Sequence, residues 1–346
     1  MTKKFIFLIL LLLCISILIT SCSKGKRTLY IYNWSDYMSS DLMAKFEKDY
    51  NCKIITDYFD SNEAMYAKLR VAGGSYDIIV PSSYMAAVMN HEKLLTKLDF
   101  SKLSNAKDMD MRYSAKTEDP NMEYSIPYAI SFTGLGYNKK KLGKRIENSW
   151  SAFGNPEYYR KITMLNDMRE ALGASLKYLG YSLNTVDDKE LSQAKNQMLK
   201  WKKNIAAYQS DEAKSSLAYN ILNAIQCYNG DIISMQEDNP DLDFALPKEG
   251  TSIGVDTIVI PLNAQNPDLA YEFINFMYEP KNCSDNMDYI GYLCPNEPAV
   301  ALLDKDFLLT ITIDEELFNK SEVIKDLGYN NTKYVTIWEE ILASSN

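Results

Sequence analysis

Between Thr28 and Val80 the sequence switches repeatedly between strand and helix periodicity, and this alternation constrains the fold more than any other feature. Thr28–Asn33 is rich in β-branched and aromatic residues and reads as a strand. Leu42, Met43, Phe46 and Tyr50 then recur at helical spacing, with Ser39 or Ser40 as N-cap. Cys52–Phe59 returns to strand character, and Ser61–Val71 to helix, with Met65 and Leu69 four apart. Tyr76–Val80 is a short apolar strand closed by Pro81. The order β-α-β-α-β predicts a parallel sheet wrapped by helices. A chain of 346 residues can bury two such cores, and a second alternating region runs from Leu165 to Gln236. There Leu172, Leu176 and Leu179 mark one helix, and Leu191, Ala194, Met198 and Trp201 another. Ile232–Met235 and Asp256–Ile260 read as strands, and Asn266-Pro267 opens a helix running to Tyr278. With no long linker in sight, the two halves are expected to exchange chain through short crossovers.

The N-terminus reads as an address. Lys3 and Lys4 precede the apolar run Phe5–Ile19, which is too short for a confident membrane span and has the form of a signal peptide. It ends in Ile19-Thr20-Ser21-Cys22, which resembles a bacterial lipobox. That resemblance implies cleavage after residue 21, acylation of Cys22, and a short basic tether over residues 22–27, giving an extracytoplasmic protein anchored to a membrane. Beyond Cys22, the expected mature chain carries Cys52, Cys227, Cys283 and Cys294, with no CxxC spacing. An oxidising compartment permits two disulfides among them, in any of three connectivities, and equally permits four buried thiols.

Charge and composition narrow the chemistry. The formal net charge is −9, which repels nucleic acid and draws cations at long range. One histidine, His91, leaves little for imidazole metal sites or His-based catalysis, and no nucleophile elbow or metal motif is present. No cofactor or metal site and no enzymatic activity are expected.

The residues able to carry function cluster where strands end, and open parallel sheets bind ligands beyond the carboxyl ends of their strands. Trp34-Ser35-Asp36-Tyr37 follows the first strand, and Ser82-Ser83-Tyr84 the third. Asn166-Asp167-Met168-Arg169-Glu170 opens a helix of the second half, with Asp167 and Glu170 three apart at its start. Asp256 enters a strand, and Tyr292 lies in Ile290-Gly-Tyr-Leu-Cys-Pro295. A polyammonium ligand needs an acceptor for each nitrogen, because a buried unpaired cation is very costly. Its methylenes need apolar or aromatic walls, and aromatic faces also attract ammonium. Asp36, Asp167, Glu170 and Asp256 meet the first need, and Trp34, Tyr37, Tyr84 and Tyr292 the second. Singly, each has an ordinary structural explanation as core filler, helix-start charge or turn residue.

At these residues the chain resembles the periplasmic spermidine/putrescine-binding proteins of ABC importers. The likeness runs from Thr28 to Ala343. It takes in Tyr32-Asn-Trp-Ser-Asp-Tyr37, Asp60-Ser-Asn-Glu63, Tyr66-Ala-Lys-Leu69, Tyr76-Asp-Ile-Ile-Val-Pro-Ser82, Tyr124-Ser-Ile-Pro-Tyr128 and Gly134-Leu-Gly-Tyr137. Further along it includes Asp167-Met-Arg-Glu170, Lys177-Tyr-Leu-Gly-Tyr181, Pro247-Lys-Glu-Gly250, Asp256 with Ile260-Pro261, Ile274-Asn-Phe276 and Ile290-Gly-Tyr292. The resemblance implies an α/β fold, a two-lobe type II clamshell in which each lobe is a parallel-rich sheet flanked by helices. Residues 28–132 with 256–299 would form one lobe, and 133–255 with 300–346 the other. It also implies a monomer that captures putrescine or spermidine and delivers it to a membrane permease. By position, Trp34, Tyr37, Tyr84 and Tyr292 correspond to aromatic walls, Asp256 to a carboxylate holding an amine, and Asp167 and Glu170 to the acids at one ligand end. Ser35 and Asp36 correspond to the hydroxyl and acid near the other end, closer to the putrescine-type form, and Ser82 accompanies Tyr84. The chain departs from the family at Tyr228, where Trp is usual, at Gly254, usually aromatic, and at Ile324, usually polar.

Three other readings are open. Tyr158-Tyr159 is an adjacent tyrosine pair of the kind used by ferric-ion-binding clamshells. A secreted hydrolase would need a nucleophile that the sequence does not display. A surface protein that grips a macromolecule would need no cleft closed by a solute.

Overall fold

The computed structural model describes residues 26–72, 76–236 and 238–344. The apolar leader, Cys22 and residues 23–25 of the tether lie outside these. Strands are numbered β1 Arg27–Asn33, β2 Cys52–Tyr58, β3 Ile78–Ile79, β4 Ile126–Asn138, β5 Ile162–Thr163, β6 Ala224–Tyr228, β7 Leu242–Ala245, β8 Ser252–Ile258 and β9 Glu322–Val323. The longer helices are α1 Ser40–Asp49, α2 Asn62–Ala72, α3 Ser83–His91, α4 Met168–Tyr178, α5 Asp188–Lys202, α6 Asp211–Ala218, α7 Asn229–Gln236, α8 Pro267–Met277, α9 Pro280–Ile290 and α10 Asn331–Ala343.

The first alternation folds as its period dictates. β1 pairs in parallel with β2 on one side and β3 on the other. Side chains leave a strand on alternate faces, so Leu29 and Ile31 enter one apolar cluster while Tyr32 enters another. Ser39 caps α1 by accepting from Leu42 N. The expected third strand shortens to Ile78–Ile79, with Asp77 turned to accept from the Tyr30 amide.

The second sheet has the order β5-β6-β4-β8-β9, with β7 also paired to β4. β4 is buried along its whole length and is antiparallel to β6, β7 and β8. It connects the two cores. Ile126, Tyr128, Ala129, Ile130 and Phe132 join the cluster of β1, β8, α8 and α9, whereas Leu135 and Tyr137 join that of α4, α5 and α10. Pro127 has no N–H for the ladder, and the register slips between it and Ala129. The chain crosses between the cores again between Ala245 and Ile253, and a third time after Val323. Ile311, Phe318 and Val323 pack with the first core.

One expected strand is a helix. Ile232–Met235 lies within α7, which begins right after β6 and carries Asp231 in its first turn. A short, mostly apolar segment such as Ile-Ile-Ser-Met is compatible with either state. The strand that does run here is β6, immediately upstream, parallel to β5. The predicted strand at Asp256 starts earlier, at Ser252, so Asp256 sits inside β8.

Candidate functional site

Asp256 lies opposite Ala129 of β4 on one side, while a single bridge joins it to Ser82 on the other. Both carboxylate oxygens accept hydroxyl hydrogen bonds. Ser82 Oγ donates to Oδ1 at 2.6 Å and Tyr37 OH to Oδ2 at 2.7 Å. Ser82 occupies the N-cap position of α3 but makes no capping bond, because its hydroxyl is committed to Asp256. A cap is worth about 1 kcal/mol to a helix, so this arrangement favours the carboxylate over the helix. Asn62 braces the serine, donating from Nδ2 to Ser82 Oγ at 3.2 Å and accepting from Ser82 N at 3.1 Å. Tyr37 is held from behind by Tyr128, whose hydroxyl donates to the Tyr37 carbonyl at 2.6 Å and itself accepts from Asn286 Nδ2 at 2.8 Å. Burial raises the Asp256 carboxyl above the usual range, and the Ser82 and Tyr37 bonds pull it part of the way back. No basic side chain contributes.

The amino end of α4 supplies a second acidic group. Asp167 is its N-cap, accepting from Arg169 N at 2.8 Å and Glu170 N at 3.0 Å. Glu170 stands at the third helical position, from which a capping-box carboxylate reaches back to its own helix. Here it turns inward, and Ser252 Oγ on β8 donates to its Oε2 at 2.6 Å. The Thr133 hydroxyl lies close to both. Burial, then the neighbouring Asp167 carboxylate, pushes Glu170 up to about 7. Arg169 offsets this only in part, because its guanidinium is engaged elsewhere. It donates to the Lys325 carbonyl at 3.0 Å and to Asn184 Oδ1 at 3.0 Å, and lies 4.6 Å from the Tyr334 ring centre. These contacts pin the start of α4 to α10 and the segment before it.

Several tyrosines stand close to the two acids, Tyr37 and Tyr292 near Asp256 and Tyr228 near Glu170. Tyr292 follows Gly291, which ends α9 with φ 71°. Its ring lies 5.7 Å from that of Tyr37 at 63°. On its other side it presses on Gly230 of α7, where an added Cβ would stand 2.3 Å from the ring. Glycine at 230 therefore lets a helix of the second core touch a tyrosine of the first. Tyr228, at the end of β6 opposite Thr133, is raised by burial first, then by Glu170, Asp167 and Asp231. Tyr84 OH donates to Glu63 at 3.1 Å, and its hydroxyl is raised by burial, Glu63 and, from the other core, Asp167. Trp34 packs on Phe59 with ring centres 4.4 Å apart, and its Nε1 is buried without a protein partner.

The structure thus brings together Tyr37, Ser82, Asp256 and Tyr292 on the first core, and Asp167, Glu170 and Tyr228 on the second, with Tyr84 facing across and Trp34 behind the strand end. Ser35 and Asp36 are exposed in the turn before Tyr37, Asp36 with φ 54°, outside the bonded group around Asp256. Sequence reasoning missed Asn62, Tyr128, Thr133, Gly230, Ser252 and Asn286. Asn62 and Tyr128 fall in family-like stretches and were within reach; a serine facing inward from a strand carries no such signal. Tyr158 and Tyr159 do not converge, since Tyr158 is in the second core at 2% exposure and Tyr159 faces solvent at 61%. Among the described residues no cluster of three or more His, Cys, Asp or Glu forms a metal-binding set.

Comparison with known proteins places this geometry in context. Residues 41–314 match the bacterial extracellular solute-binding protein family. The spermidine/putrescine-binding periplasmic protein of Escherichia coli K12 is 35% identical over 306 residues, 88% of this chain and 87% of its own. A crystal structure of the spermidine/putrescine ABC transporter substrate-binding protein PotD from Streptococcus pneumoniae superposes with TM-score 0.86 at 33% identity, covering 92% of this chain and 99% of that one. A PotD lipoprotein of Treponema pallidum superposes with TM-score 0.84 at 32% identity, covering 91% and 99%.

Proposed function

Because the chain belongs to the bacterial extracellular solute-binding proteins, alongside the spermidine/putrescine-binding periplasmic proteins, and shares their two-lobed type II fold, we propose that it captures putrescine or spermidine between its two cores and delivers it to an ABC importer. One observation carries this reading. Asp256, half-buried, and Glu170, buried, are carboxyls on different cores, each held by hydroxyl donors, with Tyr37 and Tyr292 near the first and Tyr228 near the second. Such a pair suits a short chain with an ammonium at each end. Tyr37, Tyr84, Tyr228, Tyr292 and Trp34 take its methylenes, and Ser82 and Tyr37 keep Asp256 aimed. Asp167 supports Glu170, and the exposed Ser35 and Asp36 meet the ligand at the mouth. Gly254 supplies no wall, and a Cβ there would meet Ser131 Oγ at 2.1 Å.

The lobes expected from the sequence, 28–132 with 256–299 and 133–255 with 300–346, are proposed with one change: residues 300–323 go with the first core, so the chain crosses at β4, before Ile253 and after Val323. A ligand touching Asp256 and Glu170 together favours the closed form, since only differential affinity shifts such an equilibrium. The protein binds without turnover. Cys22 carries the lipid that keeps it at the outer face of the membrane, beside the permease. A ferric-ion site is disfavoured by the divergence of Tyr158 and Tyr159.

Thermal melting with putrescine, spermidine, spermine and an amino-acid control tests this. A ligand present at a hundredfold over its Kd adds about 2.7 kcal/mol of stability. At least one polyamine should raise the melting temperature while the amino acid does not. Indifference to all three amines would remove the proposal.

A further inference from the structure

Two cysteines of the first core lie side by side. Cys283 is on α9, on the face that also carries Asn286, whose Nδ2 donates to Tyr128 OH at 2.8 Å. Cys294 lies beyond the turn that ends α9, beside Leu293, whose carbonyl accepts from Ile130 N at 2.7 Å. The Cys294 sulfur sits 4.0 Å from the Pro127 carbonyl, which also accepts from Tyr278 OH at 2.7 Å. Both cysteines therefore rest against residues 127–130 of β4, and their sulfurs are within hydrogen-bonding reach of each other. They are 3% and 4% exposed. Cys52 stands at the start of β2 and Cys227 in a separate apolar cluster of the second core, each without such a neighbour.

We propose that Cys283 and Cys294 are joined by a disulfide in the exported protein. The two thiols are free in this structure, but neighbouring thiols in an oxidising compartment have the proximity and the redox setting for such a bond. The oxidant is a disulfide-bearing thiol oxidoreductase. One cysteine thiolate attacks the donor's disulfide to give a mixed disulfide and releases a donor thiol. The second then displaces the other donor sulfur. Two cysteine thiols become one S–S bond, and the donor takes up the two electrons and two protons as two thiols. Burial raises the Cys294 thiol well above its ordinary value, which makes exchange slow in the folded core. The bond therefore forms as the chain folds after export, before this core closes.

The bond closes residues 284–293 into a loop, and Tyr292 lies in it. It ties the Gly291-Tyr292 turn back onto α9 and holds the Tyr292 ring between Tyr37 and Gly230. Closing a loop of this size stabilises a fold chiefly by restricting the unfolded chain. The inference rests on the family's extracellular location and not on the identity of the ligand.

The full chain, exported by an expressing bacterium, is denatured in an alkylating agent without reductant and digested for mass spectrometry. The expected product is one peptide pair linking Cys283 to Cys294, with Cys52 and Cys227 alkylated. Recovery of Cys283 and Cys294 as separate alkylated peptides, or linked to other partners, would overturn the proposal. In parallel, reductant should lower the melting temperature of the wild-type protein by several degrees and leave a Cys283→Ala/Cys294→Ala variant unmoved. An equal fall in both would show that the bond does not brace the fold. Neither readout involves a polyamine, so failure here and failure of the binding reading are told apart.

Discussion

The Tyr37 hydroxyl donates a 2.7 Å hydrogen bond to Asp256 Oδ2 across 219 positions of sequence. It joins the turn after the first strand to the inside of β8. Ser82 matches it on the other carboxylate oxygen. Two neutral donors orient the acid, and no basic side chain offsets its charge.

Removing that charge should separate affinity from stability. Asp256→Asn is expected to lose about 2–5 kcal/mol of polyamine affinity, the usual loss when one partner of a buried charged pair is truncated. The raised carboxyl shows that burying the ionised form strains the ligand-free protein. Its melting temperature at neutral pH should therefore hold or rise. Calorimetric titration and thermal melting of the same sample check both halves.

Glu170 sets a pH dependence whose sign follows from its raised value. Between its unfolded value near 4.5 and about 7 the folded protein holds a proton that the unfolded chain has lost, so its contribution to stability falls as pH rises through that window. A bound ammonium favours the ionised form and expels the proton. Affinity should climb roughly tenfold per pH unit up to about 7 and then level off. Titration near pH 6 in two buffers of different ionisation enthalpy should report proton release, and Glu170→Gln should abolish it.

Tyr37→Phe keeps the ring against Tyr292 and deletes the donor to Asp256. Hydrogen bonds to charged groups are worth about 1.5–3 kcal/mol, so affinity should drop at least tenfold. A titration with unchanged affinity would mean that the hydroxyl does not serve the carboxylate.

Gly230→Ala tests whether contact between the cores matters. Alanine suits a helix better by roughly 0.5–1 kcal/mol, but its Cβ would lie 2.3 Å from the Tyr292 ring. The closed form should weaken, lowering affinity and enlarging the ligand-bound particle in X-ray solution scattering. Scattering identical to the wild type would argue against closure through this contact.

What the sequence disclosed, and what it hid, follows from which faces are buried. The three-stranded parallel sheet was legible because α1 and α2 are amphipathic between short strands. β4 was not. It is buried on both faces and carries Pro127, Gly134 and Gly136, so neither alternation nor β-propensity marks it, although it links the two cores. Ile232–Met235 looked like a strand because a short apolar run has no period of its own. The acids at 167 and 170 are legible as charges at a helix start, and Asp256 as the start of an expected strand, although it lies inside β8. That Glu170 abandons its helix for Ser252, and that Ser82 abandons its own for Asp256, depends on strands brought alongside by tertiary folding.

The most direct test is calorimetric titration of putrescine and spermidine into the wild-type protein and into an Asp256→Asn/Glu170→Gln variant at pH 7.5. Saturable one-site binding of at least one amine by the wild type, lost in a variant that still melts cooperatively, is the predicted result. Equal affinity in the two proteins would contradict the claim that these two acids hold the ligand.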